Sequence, residues 1–384
     1  MKYSTRKLKD IAQISTGKLD SNAAVAGGRY PFFTCDPTTL SIDRWAYDTE
    51  AVLLAGNNAS GNYTAKYYKG KFNAYQRTYI IESANQRVLN ARFLSYALNQ
   101  ELRLLKTMSS GSTTKFLTIR LLNNLDIPCP NVDIQGRISE SLGMIDNLIE
   151  NNQKQIKLLE EAAQRLYQEW FVKLRFPGHE KVKVVDGVPE GWKKCLMSEV
   201  CDTIGGGTPS TKNPEYYTNG TVRWVTPTDI TKNNSLILLD SEKRITEEGL
   251  EHSSAKMLPP YTILMTSRAS VGFFGLCEHP VCTNQGFISC VPYNENVQLY
   301  LLGNLINRVE EIRQKATGST FLEISKKTFR NMEIIVPDSE VLNQYNATIH
   351  PMIKMMEKIA KSIRQLTEAR DRLLPKLMSG EIEV

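Results

Sequence analysis

The chain repeats itself at a distance of about half its length. Residues 109–130, SSGSTTKFLTIRLLNNLDIPCP, return in altered form at 316–337 as ATGSTFLEISKKTFRNMEIIVP. Gly111-Ser112-Thr113 falls on Gly318-Ser319-Thr320, and Phe116-Leu117 on Phe321-Leu322 after a two-residue gap. Asn124-Leu125-Asp126-Ile127 falls on Asn331-Met332-Glu333-Ile334, and Pro130 on Pro337, an offset of 207 residues. At that same offset Ala162, Arg165 and Leu166 meet Ala369, Arg372 and Leu373. Upstream the likeness is fainter: AVLLAGNNASG (51–61) resembles TILMTSRASVG (262–272), and AYQ (74–76) resembles TNQ (283–285). Self-similarity on this scale restricts the fold to two copies of one unit, each a globular part followed by a helix.

The helices declare themselves by period. After Pro130 the apolar positions are Ile138, Leu142, Ile145, Ile149, Asn152, Ile156, Leu159, Ala163, Leu166 and Trp170, separated alternately by four and three residues. The second copy reads Tyr345, Ile349, Met352, Met356, Ile359, Ile363, Leu366, Arg370, Leu373 and Leu377 in the same rhythm. A sustained four-three spacing is the seam of a supercoiled helix, and each helix has a ready partner in the other copy. A pseudo-twofold relation between copies pairs them antiparallel; the alternative is that each packs on its own globular part. Asn152 in the seam costs stability and fixes register. A helix from 134 to 172 is roughly 58 Å long at about 1.5 Å per residue, against roughly 34 Å for one turn of DNA. Gly178 and Gly380 are placed to stop the two helices.

Elsewhere the pattern changes to short apolar runs. AVLLA (51–55), TYIIE (78–82), VRWVT (222–226), TILMT (262–266) and GFISCV (286–291) read as strands separated by Gly, Asn, Pro and Thr. Helical patterns follow at 90–108 and 296–316, so each globular part is expected to be α+β. The Gly- and Pro-rich stretch 175–192 reads as the link between first helix and second globular part. The expected segmentation is therefore 1–132, 133–178, 179–338 and 339–384.

A net charge of +6 and a pI near 8.8 are compatible with an anionic partner. The N-terminus MKYSTRKLKD has no apolar core, no apolar stretch has the length of a membrane span, and seven cysteines show no paired spacing. These point to a cytoplasmic protein with reduced thiols and no membrane partner.

The run GGGTPSTKNPEYY (205–217) is the stretch most suggestive of chemistry. A phosphate-binding loop places glycine directly before the lysine and Ser/Thr after it; here Thr211 precedes Lys212 and Asn213 follows. Asn213-Pro214 opens like the target-gripping loop of amino-group DNA methyltransferases, but Glu215 stands where a second proline belongs, and no glycine-rich cofactor loop accompanies it. The plainer reading is a turn stiffened by Pro209 and Pro214. Cys277, His279 and Cys282 match no common zinc spacing and lack a second pair. No catalytic residue, metal ligand or cofactor site is expected.

Residues for contacting nucleic acid are more plentiful. NYTAKYYKGKFNAYQRTYI (62–80) interleaves Lys66, Lys69, Lys71, Gln76 and Arg77 with tyrosines. Cations neutralise phosphates, whereas Arg, Gln and Asn also reach base edges. In the second copy Thr208, Ser210, Lys212, Arg244, Arg268 and Gln285 are the analogous candidates. The duplicated loops add Ser112, Thr113 and Lys115 in one copy and Ser319 and Thr320 in the other. The competing reading of all these is structural: half-exposed strands and helix-to-strand turns.

Taken together, the half-length repeat, GGGTPSTKNPEYY with VRWVTPTDI, NQGF (284–287), RLYQEWFVKLRFPG followed by GVPEGW, and RDRLLPKLMSGEI resemble the specificity (S) subunit of type I restriction–modification systems across nearly the whole chain. The resemblance implies a non-catalytic, sequence-specific reader of double-stranded DNA. It implies two target recognition domains, each reading one half of a gapped sequence, and an antiparallel intramolecular coiled coil that sets the gap. Two methyltransferase (M) subunits would dock on it and restriction (R) subunits would join, with S-adenosylmethionine held by the partner. The alternatives are a protein-clamping adaptor that never touches DNA and a self-contained DNA methyltransferase. The first copy departs from the family in having FFTCD (32–36) where the second has the Thr226-Pro227 turn.

Overall fold

A computed structural model describes residues 3–57, 63–108, 117–318 and 320–384. The chain divides into two compact units, one formed by Met1–Ile149 with Gln365–Val384 and the other by Glu150–Arg364.

The strands of the first unit are β1 (Thr5–Lys7), β2 (Ala12–Thr16), β3 (Tyr30–Phe33), β4 (Leu40–Ile42), β5 (Tyr47–Ala55), β6 (Ala65–Ala74), β7 (Thr78–Ser83) and β8 (Asp126–Pro128). Six of them form one sheet in the order β2-β7-β5-β6-β3-β4. Its pairings are antiparallel except that β3 and β6 run parallel, touching through Phe32↔Asn73 and Phe33↔Ala74. β1 and β8 form a separate antiparallel pair. The unbroken apolar run AVLLA in β5 reflects burial on both faces. Val52 and Leu54 join Ile81 and the helix Ala91–Met108, through Phe93, Leu94 and Ala97. Ala51 and Leu53 join Phe33, Phe72 and Ile80 on the other side.

The second unit opens with a small hairpin, β9 (Val184–Val185) and β10 (Val188–Pro189), followed by β11 (Lys193–Leu196), β12 (Cys201–Ile204), β13 (Val222–Val225) and β14 (Lys243–Ile245). β15 (Ile263–Thr266), β16 (Phe274–Gly275), β17 (Cys282–Thr283), β18 (Phe287–Pro292) and β19 (Glu333–Val336) complete it. Its sheets run β12-β18-β15-β16 and β14-β13-β17, with β11 antiparallel to β19. This is the connectivity of the first unit, with β16 and β17 dividing the work of β6. Between them Leu276 bonds to Leu236 and Leu238, and Val281 pairs with Leu258, so the ladder that β6 carries unbroken is diverted here to neighbouring loops. The link 175–192 is packed here, with Phe176, Trp192 and Val341 forming a small core. Asp186 and Gly187 both adopt positive φ (51° and 77°) in the two-residue turn of the β9–β10 hairpin.

Two long helices, Val132–Tyr167 and Ser339–Ser379, are each divided between the units. In the second unit Asn152 Nδ2 donates to Ser362 Oγ at 3.3 Å, and Trp170 lies against Tyr345 at 5.8 Å between ring centroids. Later residues of one helix thus meet earlier residues of the other, as antiparallel pairing requires. Ile156, Ile349, Met356 and Ile359 are buried in this cluster, with Leu159, Leu166, Met352 and Ile363 half-buried around them. In the first unit Ile138 and Leu142 are buried with Leu374, Leu377 and Met378, and Arg370 binds Asp146 at 2.9 Å. Ile149 is buried there, and Ile145, Leu366 and Leu373 are half-buried.

The two packings expected of these helices are not exclusive, and the fold realises both. Asn152 and Asp146 bond to the other helix, while Ile138, Leu142, Ile156, Ile349, Met356 and Ile359 lie in the cores of the globular parts. The buried face of Ser339–Ser379 is accordingly wider than a strict seam, adding Leu342, Ile353, Ala360 and Leu374. The first long helix ends earlier than Gly178. A π-turn at Gln168–Val172 and a left-handed Leu174 (φ 56°) redirect the chain, because Phe171 is drawn between Tyr300 and Tyr345 at 4.7 and 4.8 Å. Gly380, with φ 74°, directly follows the last residue of the second helix.

Candidate nucleic-acid interface

The glycine run of the second unit is explained by what lies against it. A Cβ on Gly206 would stand 2.0 Å from Thr283 O and 2.3 Å from Asn284 O. Only a residue without a side chain lets the 205–207 backbone approach the end of β17 this closely. Gly207 N donates to Thr283 O at 2.9 Å, and Trp224 Nε1 donates to Gly207 O at 2.9 Å. Asn213 caps the short turn Pro214–Tyr216 by accepting from Glu215 N, and Tyr217 OH donates to Pro209 O at 2.6 Å. GGGTPSTKNPEYY is therefore a turn held internally by Asn213 and Tyr217 and anchored from outside by Thr283 and Trp224.

Four other segments converge on this point. Asn284 N donates to Val225 O at 3.1 Å, Ser267 N to Gly286 O at 2.8 Å, and Ile324 N to Ser267 O at 3.0 Å. Thr226, capped by Asp229, starts the turn whose Pro227 faces Gly286. Gln285 is left exposed at the centre, and Thr208 Oγ1 donates to its Oε1 at 2.6 Å. Arg268 follows Ser267 and pairs loosely with Glu323 at 3.7 Å. Lys326 brings a further ammonium beside Gly205.

The first unit builds the same convergence from different residues. A Cβ on Gly17 would lie 2.2 Å from Ala74 O and 2.4 Å from Tyr75 O. Tyr75 N donates to Phe33 O at 2.9 Å, Gly56 N to Arg77 O at 2.8 Å, and Leu117 N to Gly56 O at 3.0 Å. Phe33 thus takes the part of Val225, so FFTCD occupies the place of the Thr226-Pro227 turn despite lacking the proline. Gln76 is exposed where Gln285 stands in the other unit, and its Nε2 donates to Asp20 Oδ1 at 3.0 Å.

The remaining candidates are spread more widely. Arg77 is exposed beside Gln76. Lys66 turns inward, donating to Pro37 O at 2.5 Å and Asp36 O at 3.4 Å; burial pushes its ammonium below the usual lysine range. It ties down the loop after β3 and is not presented outward. Lys69 lies back along β6 against Glu50 at 3.5 Å, and Lys71 sits 4.6 Å above the exposed Trp45 ring. Ser210 and Lys212 are exposed on the 205–217 turn, and Thr320 is exposed near Glu323. Arg244 is committed elsewhere: with Arg223 it shares Asp240, at 2.8 and 3.1 Å, on the β13–β14 ladder. Ser112, Thr113, Lys115 and Ser319 lie outside the described residues. Asp20 and Lys326 escaped sequence reading. Asp20 belongs to STGKLD, which is too short and divergent to align with the glycine run.

Burial raises the thiol of Cys277 and pushes that of Cys282 up to about 12, so both stay protonated at neutral pH. Among the described residues no group of three His, Cys, Asp or Glu gathers to hold a metal ion, and no helix is long and apolar enough to cross a membrane.

The family model described as the type I restriction modification DNA specificity domain matches residues 1–161 and again 189–368. The chain belongs to this family. The EcoDI type I restriction enzyme specificity subunit of Escherichia coli is 25% identical over 412 aligned positions, covering 99% of this chain and 88% of that protein. The MjaIX specificity subunit of Methanocaldococcus jannaschii is 32% identical over 203 positions, half of this chain and 47% of the relative. The crystal structure of a type I restriction-modification S subunit from M. genitalium shares the fold, with a TM-score of 0.60 at 17% identity over 98% of this chain and 96% of that one.

Proposed function

We propose that this chain reads a bipartite, gapped sequence in double-stranded DNA and directs partner subunits to it. The observation that carries the reading is the same convergence of loops, built once in each unit, with an exposed glutamine at the same place in both. Gln76 and Arg77 face one half-site; Thr208, Arg268 and Gln285 face the other. Ser210, Lys212, Thr320 and Lys326 are close enough in sequence to these loops to hold neighbouring phosphates. Residues 1–132 and 179–338 act as target recognition domains, and 133–178 and 339–384 as the spacer helices whose length sets the gap. Chemistry belongs to two methyltransferase subunits and to restriction subunits in the cytoplasm. Membership in the specificity family supports this assignment. The test is to co-purify the full chain with methyltransferase and map the adenines it modifies. A two-part motif with a fixed gap is expected; a single ungapped motif, or none, overturns the reading.

A further inference from the structure

We propose that the two equivalent glutamines read bases of opposite hydrogen-bonding character, because each is oriented by a different neighbour. The inference rests on the DNA-reading function above. Asp20 carries only acceptors when ionised. Its Oδ1 therefore holds Gln76 by an N–H, at 3.0 Å, and turns the amide oxygen away from itself. Asp20 and Gln76 by themselves offer the Gln76 oxygen, the remaining Asp20 lone pairs and a single spare N–H, with the exposed Arg77 beside them taken up by a neighbouring phosphate. That surface suits an exocyclic amine, adenine N6 or cytosine N4, in the major groove. A guanine or thymine edge would set O6 or O4 against a carboxylate, leaving acceptor opposed to acceptor.

In the second unit the polarity is reversed. Thr208 donates its hydroxyl hydrogen to Gln285 Oε1 at 2.6 Å, so the amide oxygen is engaged, and among the described residues neither N–H of Nε2 has a partner. Arg268, one residue beyond the Ser267 amide that binds Gly286 O, adds the donors that its loose 3.7 Å pairing with Glu323 leaves over. This surface suits acceptor edges: guanine O6 and N7, or thymine O4. The backbone scaffold is the same in both units, down to Tyr75 N on Phe33 O at 2.9 Å and Asn284 N on Val225 O at 3.1 Å. The choice of base class is thereby transferred from the glutamine to the loop residue beside it, at positions 20 and 208.

The experiment uses the full chain co-expressed with its methyltransferase subunits and a randomised duplex library, with enriched sequences read for each half-site. The wild type is expected to show one position preferring A or C in one half-site and one preferring G or T in the other. Asp20→Thr should move the first of these toward G or T by about tenfold, the range of a single good base contact, with the other half-site unchanged. Thr208→Asp, and independently Gln285→Glu, should move the second toward the amine-bearing bases. All three residues are exposed, and retained enrichment of the untouched half-site confirms that each variant is folded. If the variants weaken binding equally for all sequences without changing the preferred base, the proposal is overturned while the DNA-reading function stands. If the wild type enriches no two-part motif, the function itself fails.

Discussion

Replacing Gly206 by alanine isolates the feature on which the second loop cluster depends. Gly206 does not use the left-handed region, so the added methyl introduces no backbone strain of its own. The cost is steric: a Cβ 2.0 Å from Thr283 O and 2.3 Å from Asn284 O must withdraw beyond 3.0 Å, and both obstacles are backbone. Opening the loops by about an ångström stretches Gly207 N to Thr283 O (2.9 Å) and Thr208 Oγ1 to Gln285 Oε1 (2.6 Å) past useful length. Overpacking costs about 1–3 kcal/mol, and each lost hydrogen bond about 1 kcal/mol. We expect a loss of about 3–5 kcal/mol, which lowers the melting temperature by about 6–20 °C for a unit of this size. Calorimetry of the full chain measures this, and the randomised-library assay should show selectivity falling in one half-site only. A melting temperature within about 2 °C of the wild type would refute the argument that close backbone approach is why this position is glycine.

Gly136→Ala is the opposite case: it lies in the long helix Val132–Tyr167 with nothing within 4 Å of where an added methyl group would sit, so it should raise the denaturation midpoint by up to about 1 kcal/mol of stability. Asp146→Ala removes the partner of Arg370 (2.9 Å) and of the buried Tyr96 hydroxyl (2.5 Å), and should cost about 2 kcal/mol in urea unfolding, with Tyr96→Phe costing less. Burial raises the carboxyl of Glu160 above its ordinary range despite the amide of Leu236 donating to it at 2.6 Å. An acid whose folded pKa is raised contributes stability below its unfolded pKa and loses it as pH rises through the folded value. Glu160→Gln should therefore be the more stable protein near pH 7, and the difference should shrink as the pH falls into the ordinary carboxylate range; a gap constant with pH would contradict this.

The half-length repeat, the two four-three seams and the strand runs at 51–55, 78–82, 222–226, 262–266 and 286–291 were all visible in the chain as written. Each is a local period or a string match, and burial on one stripe or both faces of an element imposes that period directly on neighbouring residues. The same local logic placed Gln76 and Gln285 at equivalent positions. It could not tell that the buried stripe of Ser339–Ser379 widens to serve a partner helix and a globular core together.

Only the tertiary structure decided what each candidate side chain does. Lys66 reads as a cation for phosphate until the carbonyls of Asp36 and Pro37 are found around it. Arg244 reads likewise until Asp240 is found beneath it. The partners that orient the two glutamines lie 56 and 77 residues away along the chain. They are brought there by backbone contacts between loops of unequal length, for which no periodicity exists. Hydrophobic burial acts on averages over many residues and so leaves a pattern in sequence. A hydrogen bond is satisfied by one atom at one distance and angle, and that geometry exists only once the chain has closed on itself.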